Sequence, residues 1–513
     1  MARPTTFWRR LGRGLKRALG FKAATQARYY DAARPSRARD WSARAGGPNA
    51  VYQLSGQKLR DRSRDMVRND PHIARAIAID VANLVGSGIT PRAVGGEDGT
   101  PEARRAAAAN RVWAEWCRRG VADLEGQYTL DALVSLIVRS AKESGEVLVQ
   151  RVFDRDAGLV PYRLRVLEAE LLDEQKNEAA RGPESNRIVA GVELSPVGRR
   201  VAYWIKRAHP AESWPGSPAM ATESVRVPAT DVIHFLIPVR PGQLRGLPAP
   251  SVVLGTKRDL SDITHFELVR RKVETAVAGF IIPGDDLEED ASTTEGAINP
   301  GAYDTDGNLV EDIQPGLLAI LRGGKDIKFN TPQAAGGHVE QVKHLLHDVA
   351  VGLGQSYEQL TGDLSGANYS TLRAGLLEFW RRIDQEQWLY IIPGLMQTLW
   401  DWAMEGAYLT GALDTPRVPV RWSAPKRSSV DPSKDVLADV VEMRAGLAPY
   451  EDKAGERGYT SEELLSQLAA QNAAFDALGL VLDIDPRKMA FRGASPSTQA
   501  PADVATDTDP EDA

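Results

Sequence analysis

The sequence predicts an α+β fold, and three observations point to that class. Residues 146–153 (EVLVQRVF) alternate between apolar and polar side chains, as a strand does. Further short strand patterns, with turn residues between them, follow as far as residue 236. Helical patterns stand before this region, and long ones follow it. Because strands and helices occupy separate stretches of the chain, we predict a largely antiparallel sheet accompanied by helices.

The first half of the chain contains the predicted sheet. A helical pattern covers residues 56–86 and is interrupted near Asp70-Pro71, and two more helices are predicted at 102–119 and 130–144. Besides 146–153, the strand patterns are 162–172, 225–236 and a hairpin that pairs 187–193 with 201–206 across a turn at 195–198.

Three long helices are predicted beyond Pro250. The first covers 251–279 and carries a narrow apolar stripe between charged faces. A loop-rich, acidic stretch at 281–337 forms a small separate module, and a second helix follows at 338–353. The third helix is predicted to begin at Ser370 as its N-cap and to be kinked at Pro393.

Between the second and third helices lies a polar segment, residues 354–369 (GQSYEQLTGDLSGANY). It has about fifteen residues where about four would join two helices. A connection of this length and composition indicates a functional loop.

Composition and charge limit the classes of protein. The 513 residues include one cysteine, Cys117, which excludes an internal disulfide and indicates a reducing compartment. The apolar run at 232–239 is far shorter than the ~18 residues of a membrane span, so we predict no membrane association. Residues 1–44 have a net charge of +10, although the whole chain has −6. A basic arm of this kind can bind nucleic acid, lie on a membrane surface or act as a targeting peptide, or else form a solvated, poorly ordered terminus.

Four stretches in one linear order resemble the portal proteins of tailed bacteriophages, specifically the lambda-like portal family. They are NDPHIARAIAIDVANLVGSGI at 69–89, RPGQLRGLPAP at 240–250, GLGQSYEQLTGDLSGANYSTLRAGLLEFWRR at 352–382 and VDPSKDVLADV at 430–440. The resemblance covers about residues 50–480. It implies a ring of about twelve subunits at one capsid vertex, through which the packaging motor drives DNA and to which the tail later attaches. It also implies assembly in the bacterial host cytoplasm and a place in the virion.

The resemblance implies a portal fold with a definite division of the chain. We expect the basic arm at 1–50, the wing at 51–245, stem helix 1 at 246–279, the clip at 280–337, stem helix 2 at 338–353, the tunnel loop at 354–369, a long kinked helix with a return to the wing at 370–425, a helical crown at 426–490 and a disordered acidic tail at 491–513.

The same resemblance assigns expected sites and partners. The tunnel loop would face double-stranded DNA with Gln355, Ser356, Tyr357, Thr361, Asp363, Ser365, Asn368 and Tyr369. The clip would bind the terminase large subunit and head-completion or adaptor proteins through Asp285, Asp286, Glu288, Glu289 and Asp290. Neighbouring subunits would pack on the stem stripe of Val339, Val342, Leu346 and Val349. Further expected partners are the major capsid protein and the scaffold.

An enzymatic function is the alternative hypothesis. His344 and His347 lie three residues apart on one predicted helix and could belong to a metal-dependent hydrolase, but the H-E-x-x-H pattern is absent. Residues 304–308 (DTDGN) suit a hairpin turn better than a calcium loop. No G-x-x-x-x-G-K-[ST] motif occurs, so ATP hydrolysis by that route is excluded. We therefore expect a structural protein with no catalytic residues, no metal and no cofactor.

Overall fold

The computed structural model describes residues 46–96, 99–156, 158–211, 223–281, 317–320, 337–425, 432–456 and 461–480. Four helices precede the sheets: α1 (Pro48–Asn69), α2 (Pro71–Leu84), α3 (Pro101–Trp116) and α4 (Leu130–Ser144). The predicted interruption near Asp70-Pro71 is confirmed. The Asp70 carboxylate accepts hydrogen bonds from the backbone N–H groups of His72 and Ile73, both at 3.0 Å, and thereby caps α2.

Two antiparallel sheets form the middle of the chain. The strands are β1 (Thr90–Ala93), β2 (Glu146–Phe153), β3 (Tyr162–Glu168), β4 (Arg187–Val189), β5 (Val192–Leu194), β6 (Arg200–Lys206), β7 (Ser224–Pro228) and β8 (Val232–Leu236). The first sheet has the order β3-β2-β8, and the second has β4-β5-β6-β7. The mixed α and β class and the antiparallel sheet are therefore confirmed.

The predicted hairpin at 187–206 contains one strand more than expected. A tight turn at Ala190 and Gly191 separates β4 from β5, and both residues have positive φ, 50° and 83°. A Cβ on Gly191 would lie 2.7 Å from the carbonyl oxygen of Asp173, so this turn requires glycine. The alternating pattern gave no sign of the turn, because its residues are themselves apolar and small.

The second half is mainly helical. It contains α5 (Leu254–Ala276), β9 (Val277–Ile281), β10 (Leu317–Ile320), α6 (His338–Leu353), α7 (Tyr357–Thr361), α8 (Tyr369–Glu386), a π-helix (Gln387–Met396), α9 (Gln397–Leu409), β11 (Val420–Ser423), α10 (Pro432–Arg444), α11 (Tyr450–Glu456) and α12 (Ser461–Leu478). Strand β11 pairs with β1 in antiparallel fashion, whereas β9 and β10 pair in parallel. None of the described helices is long and apolar enough to cross a membrane.

Two details of the third long helix differ from the prediction. Its N-cap is Asn368, whose side-chain oxygen accepts from the backbone N–H of Thr371 at 2.8 Å, so Ser370 is not the cap. At Pro393 the chain continues through a ten-residue π-helix into α9. A proline in an α-helix removes one hydrogen bond and clashes with the carbonyl four residues earlier, and the wider π turn accommodates it.

The main core packs one face of the first sheet against helices. Three tryptophans meet at its centre: the rings of Trp113 and Trp400 are 5.4 Å apart, and Trp422 lies 6.1 Å from Trp113. Trp400 and Trp402 are buried, whereas Trp388 is about half exposed. This core holds the first sheet, the π-helix and α9 in one packed unit.

Candidate functional site at the polar segment

The polar segment 354–369 is partly helical. Ser356 and Gln359 form a reciprocal capping box at the start of the five-residue helix α7, and Gly362, with φ of 76°, ends it. The sequence analysis treated the segment as a loop throughout. The signal for the helix was present in the sequence, because S-x-x-Q is a capping-box pattern.

Gln355 connects the segment to the rest of the subunit. Its side chain is buried, and its amide nitrogen donates to the carbonyl oxygen of Ala76 at 2.8 Å and to Oδ1 of Asp80 at 2.9 Å. Gln355 was expected to face DNA, but its amide group is bound inside the subunit. It acts as an anchor for the segment.

Three other predicted residues of the segment bind within it or to α6. Ser356 serves as the cap of α7, and the hydroxyl of Thr361 donates to the carbonyl oxygen of Tyr357 at 2.8 Å. The Tyr357 ring stacks on His347, with the ring centroids 4.4 Å apart. These contacts give residues 355–361 a fixed conformation.

The exposed part of the segment follows α7, and we call residues 362–370 the tip. Ser365 and Asn368 are exposed, and so is Leu364 at 61%. Asp363 is half-buried and accepts a hydrogen bond from the backbone N–H of Ser365 at 3.0 Å. Hydrogen bonds from Ser365 lower the pKa of Asp363, which therefore stays ionised. The side chain of Tyr369 lies outside the described part of the structure.

A buried network of four charged residues, the latch, holds the helix that follows the tip. Arg382 and Glu386 of α8 form it with Asp80 of α2 and Lys142 of α4. Lys142 Nζ lies 3.1 Å from Asp80 Oδ2 and 2.5 Å from Glu386 Oε2. Arg382 Nη2 lies 2.6 Å from Asp80 Oδ1, and its Nη1 lies 2.9 Å from Glu386 Oε1.

The charges of the latch compensate one another. Burial acts to raise the pKa of Asp80, but the nearby Lys142 and Arg382 outweigh it, and the pKa of Asp80 is lowered. Each carboxylate of the latch lies next to both cations, so the four charges balance one another. Sequence reasoning missed this site, because its residues come from three helices that are far apart in the chain.

The predicted stem stripe on α6 divides into two parts. Val349 is fully buried and Leu346 is 7% exposed, and both pack inside the subunit, where Val349 joins a small cluster with Ile73, Val253 and Leu360. Val342 is half-buried and Val339 is 59% exposed. Exposed apolar side chains also stand on α5, where Phe266 (69% exposed) and Val269 (41%) share one side of the helix and Leu268 (50%) lies on another.

A second buried network lies under the stretch 240–250. Glu146 accepts hydrogen bonds from Arg245 Nε at 2.7 Å and from the backbone N–H of Gly246 at 2.8 Å, and His234 Nε2 lies 2.9 Å away. Burial acts to raise the pKa of Glu146, but Arg245 and His234 outweigh it and lower the pKa well below its usual range. The stretch is therefore held to the start of β2 by charge-assisted hydrogen bonds.

The residues of the enzymatic alternative are not assembled into a metal site among the described residues. His344 is exposed on α6, and His347 stacks on Tyr357. The three-ligand group found in the described chain is Glu168, Glu170 and His209, elsewhere in the fold. In that group, Glu170 is already paired with Arg64 through two hydrogen bonds, at 2.8 and 3.0 Å.

Several predicted sites lie outside the described residues. These are the basic arm up to residue 45, the acidic run of the clip, and the acidic tail. The clip residues concerned are Asp285, Asp286, Glu288, Glu289 and Asp290.

Comparisons with known proteins give a consistent result. The model of a family described as "Phage portal protein, lambda family" matches residues 34–387. The probable portal protein of Halomonas phage phiHAP-1 is 26% identical over 478 residues, which cover 90% of this chain and 89% of that protein. Portal protein B of Escherichia phage lambda is 23% identical over 489 residues, covering 86% and 88%. A solved structure titled as the neck of a native gene transfer agent particle, computed with C12 symmetry, aligns with a TM-score of 0.40 and 15% identity over 80% of this chain and 97% of that one.

Proposed function

Because the chain belongs to the lambda family of phage portal proteins, and is thus a head–tail connector of the virion, we propose that its tip lines the DNA channel of a portal ring. The ring stands at one capsid vertex and contains about twelve subunits, as the family resemblance implies. DNA enters through it during packaging and leaves through it during ejection. The chain has a structural role in this proposal, and no catalytic one.

The observation that carries the proposal is an exposed tip held between two buried anchors. Before the tip, Gln355 is bound to Ala76 and Asp80. After it, Arg382 is bound to the same Asp80. Gln355 at the start of the segment and Arg382 of the helix after it are therefore fixed to one carboxylate, while most described residues of the tip remain exposed. A segment that only connected two helices would need no such anchoring.

The chemistry of the segment suits contact with moving DNA. Residues 354–372 contain no Lys or Arg, and their acidic side chains are Glu358 and Asp363. Duplex DNA carries one negative charge per ~1.7 Å, and cationic side chains would bind it tightly. Hydroxyl, amide and backbone groups can contact phosphates without that strong attraction. We infer that the tip guides DNA and does not retain it.

Photo-crosslinking in assembled particles tests this position. A photoreactive amino acid is placed at the position of Ser365, in the tip, or of Val197, in the turn between β5 and β6, which is 82% exposed. After irradiation of DNA-filled particles, we expect DNA attached to the portal protein only for position 365. DNA-filled particles that show no crosslink at 365, or an equal yield at both positions, would contradict the proposal.

Ring closure would use the outward apolar surface of α5. A cyclic ring requires a heterologous interface, in which two different surfaces of each subunit meet. Phe266, Leu268 and Val269 are exposed on a helix whose other faces are charged. Contact with the next subunit would cover these side chains.

Partner binding is proposed at the clip and the outer surface. The acidic run at 285–290 would bind the terminase large subunit during packaging and head-completion or adaptor proteins afterwards. The major capsid protein and the scaffold would surround the ring during assembly in the host cytoplasm.

Reversal of the acidic run to Lys should slow terminase association strongly at low salt and weakly at high salt. If the original protein and the Lys variant associated with terminase at the same rate at low salt, the acidic run would have no electrostatic role in this binding.

A further inference from the structure

A small cavity of about 160 Å³ adjoins the latch. All four charged residues of the latch stand in its wall, together with Gln355. The remaining wall residues are apolar or glycine: Ala76, Ile77, Ala249, Gly352 and Leu353. A space of ~10–15 Å³ is enough to hold one water molecule, so this cavity has room for several.

Three polar atoms of these wall residues are buried and have no hydrogen-bond partner in the described part of the chain: Gln355 Oε1, Arg382 Nε and Glu386 Oε2. Gln355 as a whole is 7% exposed. Glu386 Oε2 lies 2.5 Å from Lys142 Nζ, but this ion pair lacks the directions of a hydrogen bond. Because a buried polar atom without a partner is unfavourable, the three atoms indicate a ligand in the cavity.

Two of these atoms belong to planar groups that meet at one carboxylate oxygen. Gln355 Nε2 and Arg382 Nη2 both donate to Asp80 Oδ1, at 2.9 and 2.6 Å. The opposite atoms of the same two groups, Gln355 Oε1 and Arg382 Nε, are the unpaired ones. A Cβ on Gly354 would lie 3.0 Å from Arg382 Nε, so the glycine leaves the space beside this nitrogen open.

The charges of the wall decide the kind of ligand. Lys142 and Arg382 disfavour a cation in the cavity, and Asp80 and Glu386 disfavour an anion. The unpaired atoms are one N–H donor and two oxygen acceptors. A water molecule donates through its two hydrogens and accepts through its oxygen, so it suits both kinds of atom.

We propose that water molecules bound in this cavity join Gln355 Oε1 to Arg382 Nε and Glu386 Oε2. They complete the latch, because each of the three atoms then has a hydrogen-bond partner. The start of the polar segment is thereby connected to α8 by water as well as through Asp80. This water site belongs to a single subunit and requires neither the ring nor DNA.

Two substitutions of Gln355 in the full-length chain distinguish a hydrated site from a dry one. In a hydrated site, water fills the space that Gln355→Ala leaves and binds the polar atoms around it. Gln355→Met fills the same space with an apolar side chain, and Arg382 Nε and Asp80 lose a polar neighbour. We therefore expect the urea midpoint of Gln355→Ala to lie above that of Gln355→Met by at least about 0.2 M.

The opposite order is expected at a dry position, because truncation to alanine leaves a cavity there. Leu360 provides this control, since it is fully buried in the apolar cluster with Ile73, Val253 and Val349. Leu360→Met should have a higher urea midpoint than Leu360→Ala. If Met and Ala at position 355 gave equal midpoints, or the order seen at position 360, the proposal would be overturned.

A high-resolution cryo-electron microscopy map of the original protein shows the site directly. We expect density for water within about 2.5–3.2 Å of Gln355 Oε1 and of Arg382 Nε. A map that resolves both side chains without such density would contradict the proposal, and so would a direct hydrogen bond between these two atoms.

Discussion

Arg382 Nη2 lies 2.6 Å from Oδ1 of Asp80, although the two residues are 302 positions apart in the chain. The same oxygen accepts the amide of Gln355 at 2.9 Å. One buried carboxylate therefore binds Gln355, at the start of the polar segment, and Arg382, on the helix that follows the segment. This relationship leads to the first prediction, which concerns the stability of the subunit.

Replacement of Arg382 by Met should destabilise the protein by about 3 kcal/mol. The change leaves the buried Asp80 and Glu386 to share the single cation of Lys142, and loss of one partner from a buried ion network is strongly unfavourable. Chemical denaturation at neutral pH measures the effect. The matched control is Arg381→Met on the exposed side of α8, which should change the free energy of unfolding by less than about 0.5 kcal/mol. If Arg382→Met changed the free energy of unfolding as little as Arg381→Met does, the latch would contribute nothing to the stability of the subunit.

Local elements of this fold could be predicted from sequence, because local residues determine them. The break between α1 and α2 is determined by Asp70 and the following proline. The spacing of the apolar residues in α6 indicates which side of the helix is apolar. It could not show that Val349 packs inside the subunit while Val339 stays exposed. A period identifies an apolar face, and only the tertiary structure identifies what covers it.

The buried charged networks could not be predicted in the same way. Asp80 lies between apolar residues on a mainly apolar helix, and Glu146 stands at the first position of a strand. Their partners come from distant parts of the chain, so no spacing in the sequence brings them together. Composition identified the polar segment 354–369 as a whole, but it could not distinguish the buried Gln355 from the exposed residues of the tip.

The second prediction concerns pH and Glu146. Its pKa in the folded protein is lowered, below the unfolded value of about 4.3. As the pH falls below that value, the unfolded chain takes up the proton first, so the stabilisation is complete above about pH 4.3 and is lost at lower pH. Glu146→Gln should cost about 3 kcal/mol at pH 7, because the buried Arg245 loses its nearer carboxylate partner and keeps Glu174, whose Oε1 lies 3.3 Å from Nη2.

The pH profile separates this charge effect from a simple packing defect. Below about pH 4.3 the free energy of unfolding should fall less steeply in Glu146→Gln than in the original protein, because one proton-uptake site is removed. Urea denaturation of both proteins at several pH values between about 3 and 7 provides the measurement. Parallel curves would show that Glu146 is not the ionised group described above.

The third prediction concerns ring formation through the stem. Phe266→Glu should prevent ring closure or weaken it by at least about tenfold, because a charge would have to be buried at the interface between subunits. The subunit itself should unfold as before, since Phe266 is 69% exposed. Native mass spectrometry reports the oligomer, and Val197→Glu, at an equally exposed position, serves as the control. Full rings of Phe266→Glu would place the interface elsewhere.

The last prediction returns to the tip. Ser365→Lys and Ser370→Lys together add two positive charges to each subunit, about two dozen to a ring of twelve. Both side chains are exposed, and Ser370 is not the helix cap, so neither change should disturb the subunit. If the tip lines the channel, these charges would face duplex DNA and bind its phosphates. Packaging should then begin normally and stall before completion, and added salt should relieve the stall.

The control for this experiment is Asn368→Ala, since Asn368 caps α8 and alanine removes the cap without adding a charge. Its loss costs about 1 kcal/mol of stability apart from any contact with DNA, and so shows what a capping defect alone contributes. The measurement is the length of packaged DNA against salt concentration, with ring integrity checked by electron microscopy. Intact rings that carry both lysines and package full-length DNA at low salt would show that residues 362–370 do not face the channel. In that case the two anchors on Asp80 would hold a segment of the outer surface, and a different part of the subunit would have to line the channel.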